Sequence, residues 1–226
     1  MTRRGGDDLN VWWRIGILLV GIVWRLLFRL RYMGTEKIPR TGPAIVAGNH
    51  LSALDGIVVG LANGERARRM TRFLAAAEFF VKPWFGWALR LYRQIPLRRG
   101  EGDASALDEA IRAIRGGALA GIFPEGLVNP HPEELQRGRS GLARLALPTG
   151  APVVPVGIWG TQDRWPRDGL HFRRPWRPTL VVAYGDPIEP YGDPDDPADV
   201  QAFTETVMEA IARQMRVARA AAARRP

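Results

Sequence analysis

The stretch "GNHLSALDGIVV", residues 48–59, sets a histidine and an aspartate five positions apart between two apolar runs. Ahead of it, Ala44-Ile45-Val46-Ala47 reads as a short buried strand; behind it, Gly56-Ile57-Val58-Val59 reads as the body of a buried element. Ser52 fits an N-cap with Asp55 at the third helical position, so His50 falls in the loop before a helix. On one continuous helix this spacing would turn the two side chains about 140° apart. From a loop, the imidazole can fold back on the carboxylate. Two readings of the pair stand. One is a cap beside a histidine that fills a corner. The other is an acid–base pair in which the carboxylate fixes the ring tautomer and the second ring nitrogen takes a proton from a substrate hydroxyl.

Working outward, the chain alternates. Strand-like runs occur at Ala44–Ala47, Phe73–Ala77, Gln94–Leu97, Leu119–Phe123, Val153–Ile158 and Leu180–Tyr184. Helical patterns lie between and after them. Ala104–Arg115 carries Leu107, Ala110, Ile111 and Ile114 at helical spacing, Gly141–Leu147 is stopped by Pro148 and Gly150, and Val200–Met215 sets Phe203, Val207, Ile211 and Met215 in one row. This predicts an α/β fold: a mostly parallel central sheet flanked by helices.

The N-terminal segment "LNVWWRIGILLVGIVWRLLFRLRYMG" has ten residues, Ile15–Trp24, as its longest unbroken apolar run. A membrane-spanning helix needs about twenty, and the small-residue cleavage site of a signal peptide does not follow. On a helix, Arg14, Arg25 and Arg29 share one stripe, while Trp12, Trp13, Leu19, Ile22, Trp24 and Leu26 cover most of the rest. That pattern predicts an amphipathic helix lying in a membrane interface, with a helix packed on the core as the alternative. The expected organisation is a membrane-interface helix over residues 1–33 and a catalytic domain over 34–226.

The 226 residues carry a net charge of +9 and no cysteine. Thiolate metal sites and a cysteine nucleophile are excluded. The charge favours anionic partners, but no nucleic-acid recognition module is visible, so none is expected to bind. The phosphate loop G-x-x-x-x-G-K-[ST] and the elbow G-x-S-x-G are both missing. Covalent catalysis by one of the three serines has no support; no metal or cofactor is expected, and acid–base chemistry remains.

A second stretch, "GIFPEGLVNP" at residues 121–130, ends a strand in Phe123-Pro124-Glu125-Gly126. An N-H-x-x-x-x-D followed about seventy residues later by F-P-E-G resembles the glycerolipid acyltransferase family, in particular the bacterial 1-acylglycerol-3-phosphate acyltransferases. The resemblance runs from roughly Gly34 to Gly185, with "QIPLRRG" in the place of the family's arginine-bearing block and "APVVPVGIWG" as its fourth. It implies His50 as general base and Asp55 as the residue that orients it. It implies acceptor binding by Arg99, Glu125 and Gly126, with Glu125 orienting Arg99 or an acceptor hydroxyl, since a carboxylate repels phosphate. It also implies acyl transfer from acyl-CoA or acyl-carrier protein, as co-substrate, to a lysophospholipid; the short apolar run and arginine stripe of the N-terminal helix predict that this takes place at the cytoplasmic face of the cell membrane. Where the family often continues with Thr-Arg-Ser, this chain has Leu127-Val128-Asn129, so a basic position is missing; Arg137 or Arg139 is the candidate replacement. Another lysolipid or glycolipid acceptor, or a non-catalytic membrane-binding relative, is the alternative. Residues 78–92, "EFFVKPWFGWALRLY", either line an acyl path or form ordinary core.

Overall fold

The computed structural model describes residues 11–98, 104–171 and 176–224. Of the seven strands among the described residues, five run parallel: β2 (Ala44–Gly48), β3 (Thr71–Ala76), β4 (Ile95–Leu97), β5 (Leu119–Ile122) and β6 (Val153–Trp159). Strand β7 (Thr179–Tyr184) is antiparallel to β6, and β1 (Arg29–Met33) is parallel to β7, which gives the order β1-β7-β6-β2-β5-β3-β4. The sheet is therefore mostly parallel and flanked by helices, as the alternation predicts.

Strand β2 is buried at every residue because both faces of the sheet are covered. The two-residue period sorts its side chains. Ile45 and Ala47 join one core cluster, against α4 (Ala104–Arg115), α5 (Gly141–Ala146) and α6 (Pro197–Ala223). Ala44 and Val46 join the other, against α2 (Asp55–Ala67) and Phe28. In α6 the predicted row is the buried face: Phe203, Val207 and Ile211 are fully buried and Met215 nearly so.

Helix α1 (Val11–Leu27) lies across α2, joined by the Arg25–Glu65 ion pair at 2.8 Å. It divides its tryptophans: Trp13 is buried, Trp24 is half-buried and Trp12 is exposed. The helix thus packs on the domain and still presents Trp12, Ile15, Leu19, Ile22 and Leu26 to solvent. Among the described residues, no helix is long and apolar enough to cross a membrane. Residues 29–33, read from the sequence as the tail of that helix segment, form β1 instead, because Arg29-Leu30-Arg31-Tyr32-Met33 alternates with a period of two. Residues 78–92 form a turn and helix α3 (Pro83–Leu91). Phe80 is buried, as the core reading has it, whereas Trp84 is 87% and Trp87 60% exposed, so these two rings are not core.

Candidate active site

His50 leaves the carboxyl end of β2, and α2 begins at Asp55. The expected capping pair forms. Ser52 Oγ accepts the backbone N-H of Leu54 at 3.1 Å, and Asp55, the first helical residue, reaches back. Its Oδ2 accepts the backbone N-H of Leu51 at 2.6 Å and of Ser52 at 2.8 Å, and lies 3.0 Å from His50 Nδ1. Its Oδ1 accepts the hydroxyl of Thr161 at 2.6 Å, from the turn that follows β6. The Asp55 carboxylate is fully buried, and these donors replace the water it has lost. A carboxylate only accepts, so the proton on this side of the imidazole sits on Nδ1, and Nε2 is left with a lone pair. The His50 side chain is 14% exposed and stacks on Phe123, centroids 4.3 Å apart and planes within 8°. Phe73 from β3 stacks on the far side of Phe123 at 5.5 Å. Gly121 makes room for this, since a Cβ there would meet the Phe73 ring at 2.4 Å.

Glu125 follows β5, the neighbour of β2. It is 2% exposed. Its Oε1 accepts the His50 backbone N-H at 2.7 Å, and its Oε2 accepts the Asn129 amide and the Gln136 N-H, both at 3.0 Å. Burial pushes its carboxyl above the ordinary range, and the His50 and Gln136 N-H donors pull it partly back. Both oxygens therefore hold protein donors, so Glu125 sets the position of the His50 backbone rather than presenting a free carboxylate. Gly126 closes the turn, its N-H donating to Phe123 O at 2.9 Å with φ of 76°, in the left-handed region that favours glycine. A Cβ at Gly126 would meet Arg139 Nε at 2.9 Å.

His50, Asp55, Glu125 and Gly126 are thus brought to one sheet edge. Arg137 is not part of the same cluster: it is exposed and lines a separate groove between residues 135–144 and α6. Arg139 lies against Gly126, and its guanidinium has no ion-pair partner among the described residues. Arg99 lies outside the described residues. Sequence reading missed three members of the site. Thr161 orients Asp55; its signal was a polar residue two positions after the end of β6, the strand that neighbours β2. Asn49, fully buried, donates to Ile158 O at 3.0 Å and accepts Ile158 N-H at 2.7 Å. Asn129, read as a departure from a family pattern, is a hub: its N-H donates to His50 O at 2.6 Å, and its Oδ1 accepts from His131 N and Gln136 Nε2.

The chemical capacity of this arrangement is deprotonation of a hydroxyl by an oriented imidazole. Comparison with known proteins identifies the family. A family model described as Acyltransferase matches residues 29–159, more than half of the chain. An uncharacterized protein of Mycobacterium bovis is 35% identical over 158 residues, 66% of this chain and 42% of that protein. An N-acylphosphatidylethanolamine synthase of Arabidopsis thaliana is 31% identical over 168 residues, 68% of this chain and 58% of that one. The match thus spans less than two thirds of the length of these relatives. A crystal structure of the 1-acyl-sn-glycerophosphate acyltransferase PlsC from Thermotoga maritima superposes with a TM-score of 0.70 at 25% identity, covering 95% of this chain and 81% of that one.

Proposed function

The chain belongs to the acyltransferase family, and we propose that it transfers a fatty acyl group from an acyl thioester to a lysophospholipid hydroxyl, 1-acylglycerol-3-phosphate foremost, giving phosphatidic acid. The observation that carries this reading is the 3.0 Å contact between His50 Nδ1 and a saturated, buried Asp55. His50 Nε2 takes the proton of the acceptor hydroxyl as its oxygen attacks the thioester carbonyl. The imidazolium that forms is held by Asp55 on one side and by the face of Phe123 beneath it. Collapse of the tetrahedral intermediate forms the ester, breaks the C–S bond and returns the proton from Nε2 to the departing thiolate. A positioned base of this kind contributes about 10²–10⁴ in rate.

Arg139 beside Gly126 and Arg99 in the second block are the cations we assign to the acceptor phosphate, in place of the basic residue absent from Leu127-Val128-Asn129. Acyl-CoA or acyl-carrier protein is the donor, and the cytoplasmic face of the cell membrane is the place, with α1 as the anchoring helix. A different lysolipid or an amine-bearing phospholipid as acceptor is the second reading, favoured by that same missing cation and by the Arabidopsis relative. Purified protein given acyl-CoA and a panel of acceptors, with free thiol detected, separates these. Thiol release stimulated most by 1-acylglycerol-3-phosphate supports the first reading. Greatest stimulation by another acceptor supports the second, and release indifferent to any acceptor assigns a hydrolase.

A further inference from the structure

Two exposed apolar surfaces meet on this molecule, and only one of them belongs to α1. The other is the segment that follows β3. In it Val81 is 79%, Trp84 87%, Phe85 46% and Trp87 60% exposed. Four large apolar side chains exposed within seven residues are denser than scattered surface hydrophobics. Tyr92, at the end of α3, ties this segment to α1. Its ring meets buried Trp13 edge-on at 5.0 Å, and its hydroxyl donates to Trp12 O at 3.5 Å.

Topology places the start of this segment beside the chemistry. Strand β3 pairs in parallel with β5, whose carboxyl end carries Glu125, so the chain enters residues 77–87 at the same sheet edge as His50. The Phe73–Phe123–His50 stack runs along that edge. Charge supplies the rest of the argument. Over residues 78–93 the charged side chains are Glu78, Lys82, Arg90 and Arg93, an excess of cations. Tryptophans flanked by lysine and arginine suit the headgroup level of an anionic bilayer, where the ring has an apolar body and a polar N-H.

We infer that Val81–Trp87 is a second membrane contact: Trp84 and Trp87 enter the interfacial layer of an anionic lipid surface next to α1, and the two together turn the His50 edge of the sheet towards the lipid. The source of the acceptor rests on the lysolipid reading above; the contact itself does not. An acceptor lipid then reaches Nε2 from the bilayer without first crossing water.

The test is co-sedimentation of the full chain with phosphatidylglycerol–phosphatidylcholine vesicles, at low and high salt and with no substrate present, for wild type and for Trp84→Ser/Trp87→Ser. Both rings are mostly exposed, so the double variant keeps its fold, which circular dichroism and the melting temperature verify. We expect vesicle affinity to fall about tenfold or more and the loss to persist at high salt, because apolar burial is not screened. Brominated lipids should quench wild-type fluorescence more than that of the variant. Unchanged affinity and quenching overturn the contact, and so does a variant that loses only self-association on a sizing column. Reduced turnover on a micellar substrate with unchanged vesicle binding also overturns it, by assigning the rings to substrate. Loss of vesicle binding in a protein whose thiol release ignores every lysolipid keeps the contact and removes the acceptor reading alone.

Discussion

At the amino edge of the sheet, Arg69 is 1% exposed and donates to the carbonyls of Pro39, Gly42 and Gly117 at 3.0, 2.9 and 2.8 Å. At the carboxyl edge, Asp55 and Glu125 are 0% and 2% exposed and accept backbone and side-chain donors at 2.6–3.0 Å. Both edges obey the same requirement that a buried charge be surrounded by groups of opposite polarity. They differ in where the chain of bonds stops. Arg69 ends on the backbone of loops that enter β2 and β5, and ties those entries together. Asp55 ends on His50, whose Nε2 is still available. A buried charge becomes chemistry when the last member of its shell keeps one valence for something that is not protein.

The largest effect expected from this contrast is on rate. His50→Ala should lower acyl transfer by about 10²–10⁴ while the melting temperature barely moves, since the side chain borders solvent. A variant that melts early and turns over normally would place His50 with Arg69, on the structural side. The mirror-image change is Arg69→Met. It leaves three carbonyls without a donor and should cost about 3 kcal/mol in urea unfolding, with turnover per folded molecule retained. A drop in kcat at unchanged stability breaks the comparison from the other end.

Smaller changes sharpen it. Thr161→Val removes one donor from Asp55 and keeps the side-chain volume. Turnover should fall roughly tenfold, the equivalent of about 1.4 kcal/mol in the barrier, with KM for the thioester unchanged. An effect on KM alone assigns Thr161 to substrate. Glu125 gives the smallest and most gradual signal. Its carboxyl titrates above the ordinary 4.5 because burial opposes the charge. The folded chain therefore keeps a proton there that the unfolded chain has already lost. That contribution is complete below the unfolded value and vanishes as pH rises through the raised one. The stability of wild type minus that of Glu125→Gln, which does not titrate, should fall as pH climbs above 4.5. The slope is at most about 1.4 kcal/mol per pH unit. A flat difference refutes the burial argument.

The legible parts of the molecule were those with a single dominant signal. β2, β6 and β7 are apolar runs buried on both faces, and the α6 row follows helical period, so both were readable from the residues. β1 was not, because its alternating arginines extend the arginine stripe of α1. α3 was hidden inside a mostly apolar stretch, although Pro83 at its first turn was a usable mark. His50 and Asp55 were readable because they are near in sequence. Thr161 was not, since it reaches Asp55 across 106 residues and only the β2–β6 pairing makes them neighbours. The role of Asn129 was not readable because its partners, His50 O, Glu125 and Gln136, come together only in the folded chain.

Asn49 adds one more rung to the β2–β6 ladder, with a side chain in the role of a backbone. The edge next to His50 therefore cannot fray by local opening of a terminal residue. Freeing the Ile158 N-H requires the buried amide to leave its place, and with it the whole junction of β2 and β6. In hydrogen–deuterium exchange that proton should persist with the slowest of the sheet interior, although it lies at the end of a strand. The consequence is temporal: His50 holds its place over the lifetime of the fold, not over the lifetime of a loop.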